Sequence, residues 1–126
     1  MLNHFKKHIQ NKIVKFEDLK KFRQSLKGKR IIFTAGGFDL IHVGHTRYLA
    51  EAKYQGDILV VGISSNAEIK ALKGPDRPIV DESARAEMIA SLMVVDYVFV
   101  MPPMNAVVSS IELLNPSVLI VPDDNW

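Results

Sequence analysis

Apolar residues in this chain follow two rhythms. Phe16, Leu19, Phe22 and Leu26 recur at three- and four-residue steps and predict a helix over 16–29, stopped near Gly28. The other rhythm is a set of short, unbroken apolar runs rich in β-branched residues. "RIIFTAG" (30–36), "DILVVGIS" (57–64), "VDYVFVM" (95–101) and "SVLIVP" (117–122) predict four buried strands. Helical segments fall between them: "VGHTRYLAEAKYQG" (43–56), "SNAEIKALKG" (65–74), "DESARAEMIASL" (81–92) and "AVVSSIELLN" (106–115). Asp81 and Asn105 are placed to cap the last two, and Pro116 follows the final helix. "PDRPIVDE", with two prolines, reads as a loop.

Strands that are apolar throughout and alternate with helices imply a parallel sheet covered on both faces. The expected fold class is therefore α/β, a Rossmann-like doubly wound parallel sheet with right-handed crossovers. In such sheets the ligand lies beyond the carboxyl ends of the strands. That rule selects Gly36 to His45, Ser64 to Asn66, Met101 to Asn105, and Asp123 to Trp126. The N-terminal segment is amphipathic through Phe5, Ile9, Ile13 and Phe16. It offers either a surface for a second copy or a strip that packs on the chain's own sheet.

Composition narrows the classes further. At 126 residues the chain is expected to be one domain, with residues 1–29 as an N-terminal helical extension. The net charge of +2 is too small to argue for nucleic acid or membrane as a partner. Lys and Arg do crowd residues 6–30 against Glu17 and Asp18, a pattern that usually marks a solvated helix face. With no cysteine there is no disulfide and no thiolate metal site. No apolar run reaches the ~18 residues of a membrane span, and "MLNHFKKHIQ" lacks an apolar signal core, so the expected location is cytoplasmic.

One stretch concentrates candidate chemistry. "GGFDLIHVGH" (36–45) holds two of the four histidines, directly after the first strand. A glycine turn there lets backbone approach a ligand closely, and a helix starting near Val43 presents N–H groups and its positive dipole end to an anion. His42 and His45 are three apart and share a helical face. Two such imidazoles can donate to one group or bind one metal. A zinc site needs a third protein ligand, and neither an HExxH nor a cysteine pattern is present. There is no GxGxxG to argue for a dinucleotide cofactor.

"GGFDLIHVGH" resembles the G-x-F-D-x-x-H-x-G-H signature of cytidylyltransferase-like nucleotidyltransferases. The likeness runs over roughly residues 12–121. With "LKGPDRPIVDESARAEMIASLMVVDYVFV" included, the chain is most similar to the adenylyltransferase domain of ADP-heptose synthases. The resemblance implies transfer of a nucleoside monophosphate from an NTP to a sugar phosphate, with release of pyrophosphate. Adenylyl transfer to heptose 1-phosphate is the leading expectation. A cytidylyltransferase acting on glycerol 3-phosphate or a related polyol phosphate is one alternative, and a catalytically weak nucleotide-binding domain is another.

By the same resemblance, His42 and His45 contact the triphosphate, and Lys73 and Arg85 are catalytic cations. Gly36, Gly37, Phe38, Asp39, Gly44, Ser64, Asp123 and Asp124 belong to the nucleotide site, with Asp39 bracing the motif loop. Arg77 lies in the same loop as Lys73, and Ser65 is a helix cap or a nucleotide contact. Mg²⁺ is expected to come with the NTP, held by phosphate and water rather than by protein ligands, and the resemblance also implies a homodimer. Two departures stand out. "AGGFD" replaces the usual "NGCFD" or "YGTFD", and "VPDDNW" replaces "KGGDY" or "GDDW". Relatives continue into a Ser-Thr-Thr element that the 126 residues do not contain, so part of the family domain is expected to be missing.

Overall fold

The four apolar runs form one parallel sheet. In this computed structural model, which describes residues 2–104 and 106–122, the strands are β1 (Ile31–Gly36), β2 (Ile58–Ile63), β3 (Tyr97–Val100) and β4 (Val118–Ile120). Their spatial order is β3-β2-β1-β4, all parallel. Chain order moves outward from β1 through β2 to β3, then returns to the other side of β1 for β4. The β1/β4 junction is thus the topological switch point, where a ligand crevice opens beyond the strand ends.

Successive side chains alternate faces, and helices cover both. They are α1 (Leu2–Gln10), α2 (Leu19–Ser25), α3 (Val43–Lys53), α4 (Asn66–Lys73), α5 (Glu82–Ala90) and α6 (Ala106–Leu114). Ile32, Leu59, Val61 and Val98 pack with Leu49 of α3 and Ile89 of α5 on one face. Ile31, Phe33, Val60 and Phe99 pack with Leu19 of α2 and Leu114 of α6 on the other. Phe33 stacks on Phe99 with ring centroids 5.7 Å apart. The doubly wound expectation holds, since both faces of every interior strand are buried.

Element ends differ from the sequence reading where local hydrogen bonding decides them. The helix expected over 16–29 starts as a 3-10 turn at Phe16–Asp18, without a side-chain cap, and becomes α-helical only over Leu19–Ser25. Asp81 does cap α5, accepting from Ser83 N at 3.1 Å. Asn105 lies outside the described residues.

The N-terminal segment packs on the chain's own sheet. Ile9 of α1 is buried in the core beside α5. Residues 12–14 then add to the outer edge of β3: Val14 N donates to Val98 O, and Val98 N to Lys12 O, both at 2.8 Å. Lys12 Nζ also donates to Val95 O at 2.9 Å. The helical reading of residues 1–29 missed this short bridge.

Candidate functional site

The site is built from the turn that follows β1. Its two glycines provide room rather than unusual backbone. A Cβ on Gly36 would meet the Phe38 ring at 3.0 Å, and one on Gly37 would meet Ile69 Cδ1 at 3.3 Å. Neither takes a positive φ; the left-handed residue is Phe38, at φ 51°. Such a conformation costs about 1–3 kcal/mol and persists only where its surroundings enforce it. Here the ring is buried against His45, centroids 5.6 Å apart, and the next residue is locked.

That next residue, Asp39, has a side chain only 3% exposed. Its carboxylate accepts from Arg77 Nε at 2.8 Å, Val80 N at 2.8 Å and Ile79 N at 2.9 Å. Burial pushes its pKa up, but these donors outweigh it and hold the carboxyl at about 2. Asp39 therefore ties the loop after α4 to the motif.

His42 is the N-cap of α3, with extended backbone, and His45 sits one turn in. His42 Nδ1 accepts from Gly44 N at 3.0 Å, and His45 Nδ1 accepts from His42 N at 3.1 Å. A ring nitrogen that accepts carries no proton, so both neutral imidazoles hold theirs on Nε2. Histidines here play the part of Ser and Glu in a capping box. The rings lie 4.1 Å apart, and both line the same cleft. Burial first, then the charges of His42 and Lys73, lowers the pKa of His45 below 6.5. The helix start is less open to an anion than the sequence implied. Gly44 N is taken by His42 Nδ1, and His45 N by His42 O at 3.0 Å.

These residues wall a cleft of about 290 Å³ at the switch point. Gly36, Gly37, Phe38, Asp39, His42, His45 and Lys73 all line it, together with Arg77 from the loop and Pro122 beyond β4. Lys73 ends α4 on an exposed position. Other predicted residues stand elsewhere. Ser64 does not line the cleft; its N–H donates to Gly36 O at 2.9 Å. Ser65 caps α4, accepting from Glu68 N at 3.1 Å. Asp123 and Asp124 lie outside the described residues.

Arg85 is also turned away from the cleft. It is 1% exposed, and its guanidinium donates to Val80 O and Gly37 O at 2.8 Å, Ser64 O at 2.7 Å and Asn66 Oδ1 at 2.9 Å. Burial lowers its pKa, opposed by the charges of Asp39, Glu82 and Asp81. Sequence reasoning took it for a phosphate contact. In this arrangement its fork closes on protein oxygens, and it cross-links the ends of β1 and β2 to the starts of α4 and α5.

Tyr48 was missed. It lines the cleft from α3, and its hydroxyl donates a short hydrogen bond to Thr34 Oγ1 while lying 3.2 Å from Ile120 O. Thr34 Oγ1 in turn donates to Ile120 O, at 2.9 Å. Burial raises the Tyr48 pKa above 10.0. The signal was available, since Tyr48 follows His45 by three residues on a predicted helix.

A doubly wound sheet, with a glycine turn after its first strand and two imidazoles in a switch-point cleft, makes this an α/β domain of the Rossmann-like class. The chain belongs to the cytidylyltransferase-like family, whose model matches residues 33–126. It is 48% identical over 106 residues to the bifunctional protein HldE of Helicobacter pylori strain 26695, covering 84% of this chain and 23% of that one. Against HldE of Geobacter metallireducens the identity is 45% over 97 residues, 77% of this chain and 20% of that one. The chain thus spans only about a fifth of the length of these curated relatives. Its fold matches the crystal structure of the lipopolysaccharide core biosynthesis protein from Thermoplasma volcanium GSS1, with TM-score 0.66 and 32% identity over 73% of each chain.

Proposed function

We propose that this chain is a nucleotidyltransferase domain that transfers an adenylyl group from ATP to a sugar phosphate, heptose 1-phosphate being the leading acceptor. The observation that carries it is the paired capping of His42 and His45, which engages Nδ1 of each and sets both imidazoles in the lining of the cleft. In the reaction, an oxygen of the acceptor phosphate attacks the α-phosphorus. The bond from that phosphorus to the bridging oxygen of the β-phosphate breaks, its electron pair stays on that oxygen, and pyrophosphate leaves. Little covalent help is needed, so positioning and charge stabilisation dominate. The two imidazoles donate to the α-phosphate as charge builds on its equatorial oxygens, and Lys73 offsets charge on the phosphates. Gly36 and Gly37 leave the cradle without side chains.

Mg²⁺ bound with the triphosphate would neutralise phosphate charge. Among the described residues no three His, Asp or Glu stand together as a metal cage. Asp39, the carboxylate at the cleft, is occupied by three protein donors. The ion would be held by phosphate oxygens and water.

The adenylyl assignment rests on likeness to ADP-heptose synthases and on relatives named HldE, and the sugar acceptor also on a solved relative named for lipopolysaccharide core biosynthesis. No feature of the cleft favours cytidylyl transfer to glycerol 3-phosphate, or nucleotide binding without turnover. Among the described residues no helix is long and apolar enough to cross a membrane, and a cytoplasmic location and a homodimer are part of the proposal. Pyrophosphate release, measured with each NTP against several sugar and polyol phosphates, tests the reading. ATP with heptose 1-phosphate should give the fastest release; silence in every combination overturns it.

A further inference from the structure

Arg77 has no part in the steps above, and its guanidinium is divided between two tasks. Nε donates to Asp39 Oδ2 at 2.8 Å, against a carboxylate only 3% exposed. The same carboxylate holds the N–H groups of Ile79 and Val80, so one buried acid fixes both the loop and the arginine head. Among the described residues no protein acceptor meets Nη1 or Nη2. Bracing the loop accounts for Nε alone. A guanidinium anchored at Nε with its other N–H groups outward is set for bidentate contact with an oxyanion.

Its position says which oxyanion. Arg77 lines the cleft of His42 and His45 and also a second hollow of about 390 Å³. Asn66, Lys70 and Asp81 make that hollow polar. The switch-point rule places the nucleoside at the β1/β4 end of the cleft, beside Tyr48 and Pro122. Arg77 stands on the α4 side instead. In-line displacement needs the attacking and leaving oxygens on opposite sides of the α-phosphorus. The phosphate of the acceptor must therefore enter close to the imidazoles while its carbon chain points away from the nucleoside.

We propose that Arg77 binds the phosphate of the acceptor, and that the Lys70/Asn66/Asp81 hollow takes its hydroxylated carbon chain. This rests on the nucleotidyl-transfer reading and adds an acceptor subsite to it. The arginine offsets the charge of the acceptor phosphate so that it can approach the triphosphate. Lys70 donates to acceptor hydroxyls and Asp81 accepts from them.

Arg77→Lys tests it, because lysine keeps the charge but cannot serve Asp39 and a ligand at once. Lys70→Ala is the companion variant, on an exposed position that carries no fold risk. Steady-state kinetics should show the acceptor KM raised on the order of tenfold to a hundredfold in Arg77→Lys and several-fold in Lys70→Ala, with the ATP KM changed less than about twofold. An ATP KM that rises as much as the acceptor KM, or an acceptor KM left unchanged, overturns the proposal. If Arg77→Lys does not fold, the Lys70→Ala kinetics decide. If no substrate pair releases pyrophosphate, the nucleotidyl-transfer reading fails separately. Calorimetric titration of heptose 1-phosphate into the resting protein then decides the subsite. Tight binding to wild type, weakened about tenfold or more in Arg77→Lys, supports it; equal binding, or none to wild type, overturns it.

Discussion

His42 and His45 each accept a backbone N–H at Nδ1, and their Nε2–H is the donor of the proposed chemistry. The two tasks can be separated by substitution. Asparagine at 45 can still accept from His42 N but has no donor where Nε2–H stood. His45→Asn should therefore lose on the order of 10²–10³ in kcat while melting near wild type. His45→Ala should lose the same activity and also about 0.5–2 kcal/mol of stability with the cap. Turnover near normal in His45→Asn would remove the histidine from the chemistry. The pH dependence has a definite sign. The folded pKa of His45 lies below 6.5, so its stability contribution is full above that value. It is lost as pH falls, because the unfolded chain takes up the proton more readily. A proton on Nδ1 would also break the bond from His42 N. Melting curves between pH 8 and 5 should fall for wild type and be flatter for His45→Asn.

Loops and helix ends around the cleft are held by two buried charges. Asp39 ties the 77–80 loop to the motif, and Arg85 ties α5 to β1, β2 and α4. An ammonium cannot span the four oxygens that one guanidinium fork reaches. Arg85→Lys should leave two or more carbonyls unpaired and cost about 2–4 kcal/mol, read from the urea midpoint. Full stability with turnover abolished would return Arg85 to direct contact with phosphate. Gly56 makes a related point about element ends. It looks like a simple helix stop, yet an added Cβ would lie 2.5 Å from Ile32 Cδ1 and 2.9 Å from Arg30 O. Close approach of the turn to β1 is what requires the glycine.

Across the whole molecule, residues 2–15 supply a core helix and a short bridge to the sheet edge. They bury Ile9 and occupy the outer edge of β3 through Val14 and Lys12. Removing residues 1–15 should cost at least the ~1.5–3 kcal/mol of burying one large aliphatic side chain. It should also expose a strand edge, and exposed edges pair with other chains. Light scattering should then find the shortened chain in larger species than the full one. An unchanged melting temperature and mass would mean that the segment is dispensable.

The strand and helix order, the parallel sheet and the HxGH turn were legible in the sequence because each depends on local periodicity and short-range turn chemistry. So was the pairing of His42 with His45, since helical spacing fixes which side chains are neighbours. What the local pattern could not contain was the destination of long side chains. A loop arginine and a helix arginine look alike in sequence, but a buried Asp39 leaves the head of Arg77 at the cleft, while carbonyls from three segments enclose Arg85. Likewise, only the return of β4 to the side of β1 brings Pro122 beside Tyr48 and makes a cleft there. Those outcomes depend on contacts between residues dozens of positions apart, and desolvation together with hydrogen-bond satisfaction decides them once the chain has folded.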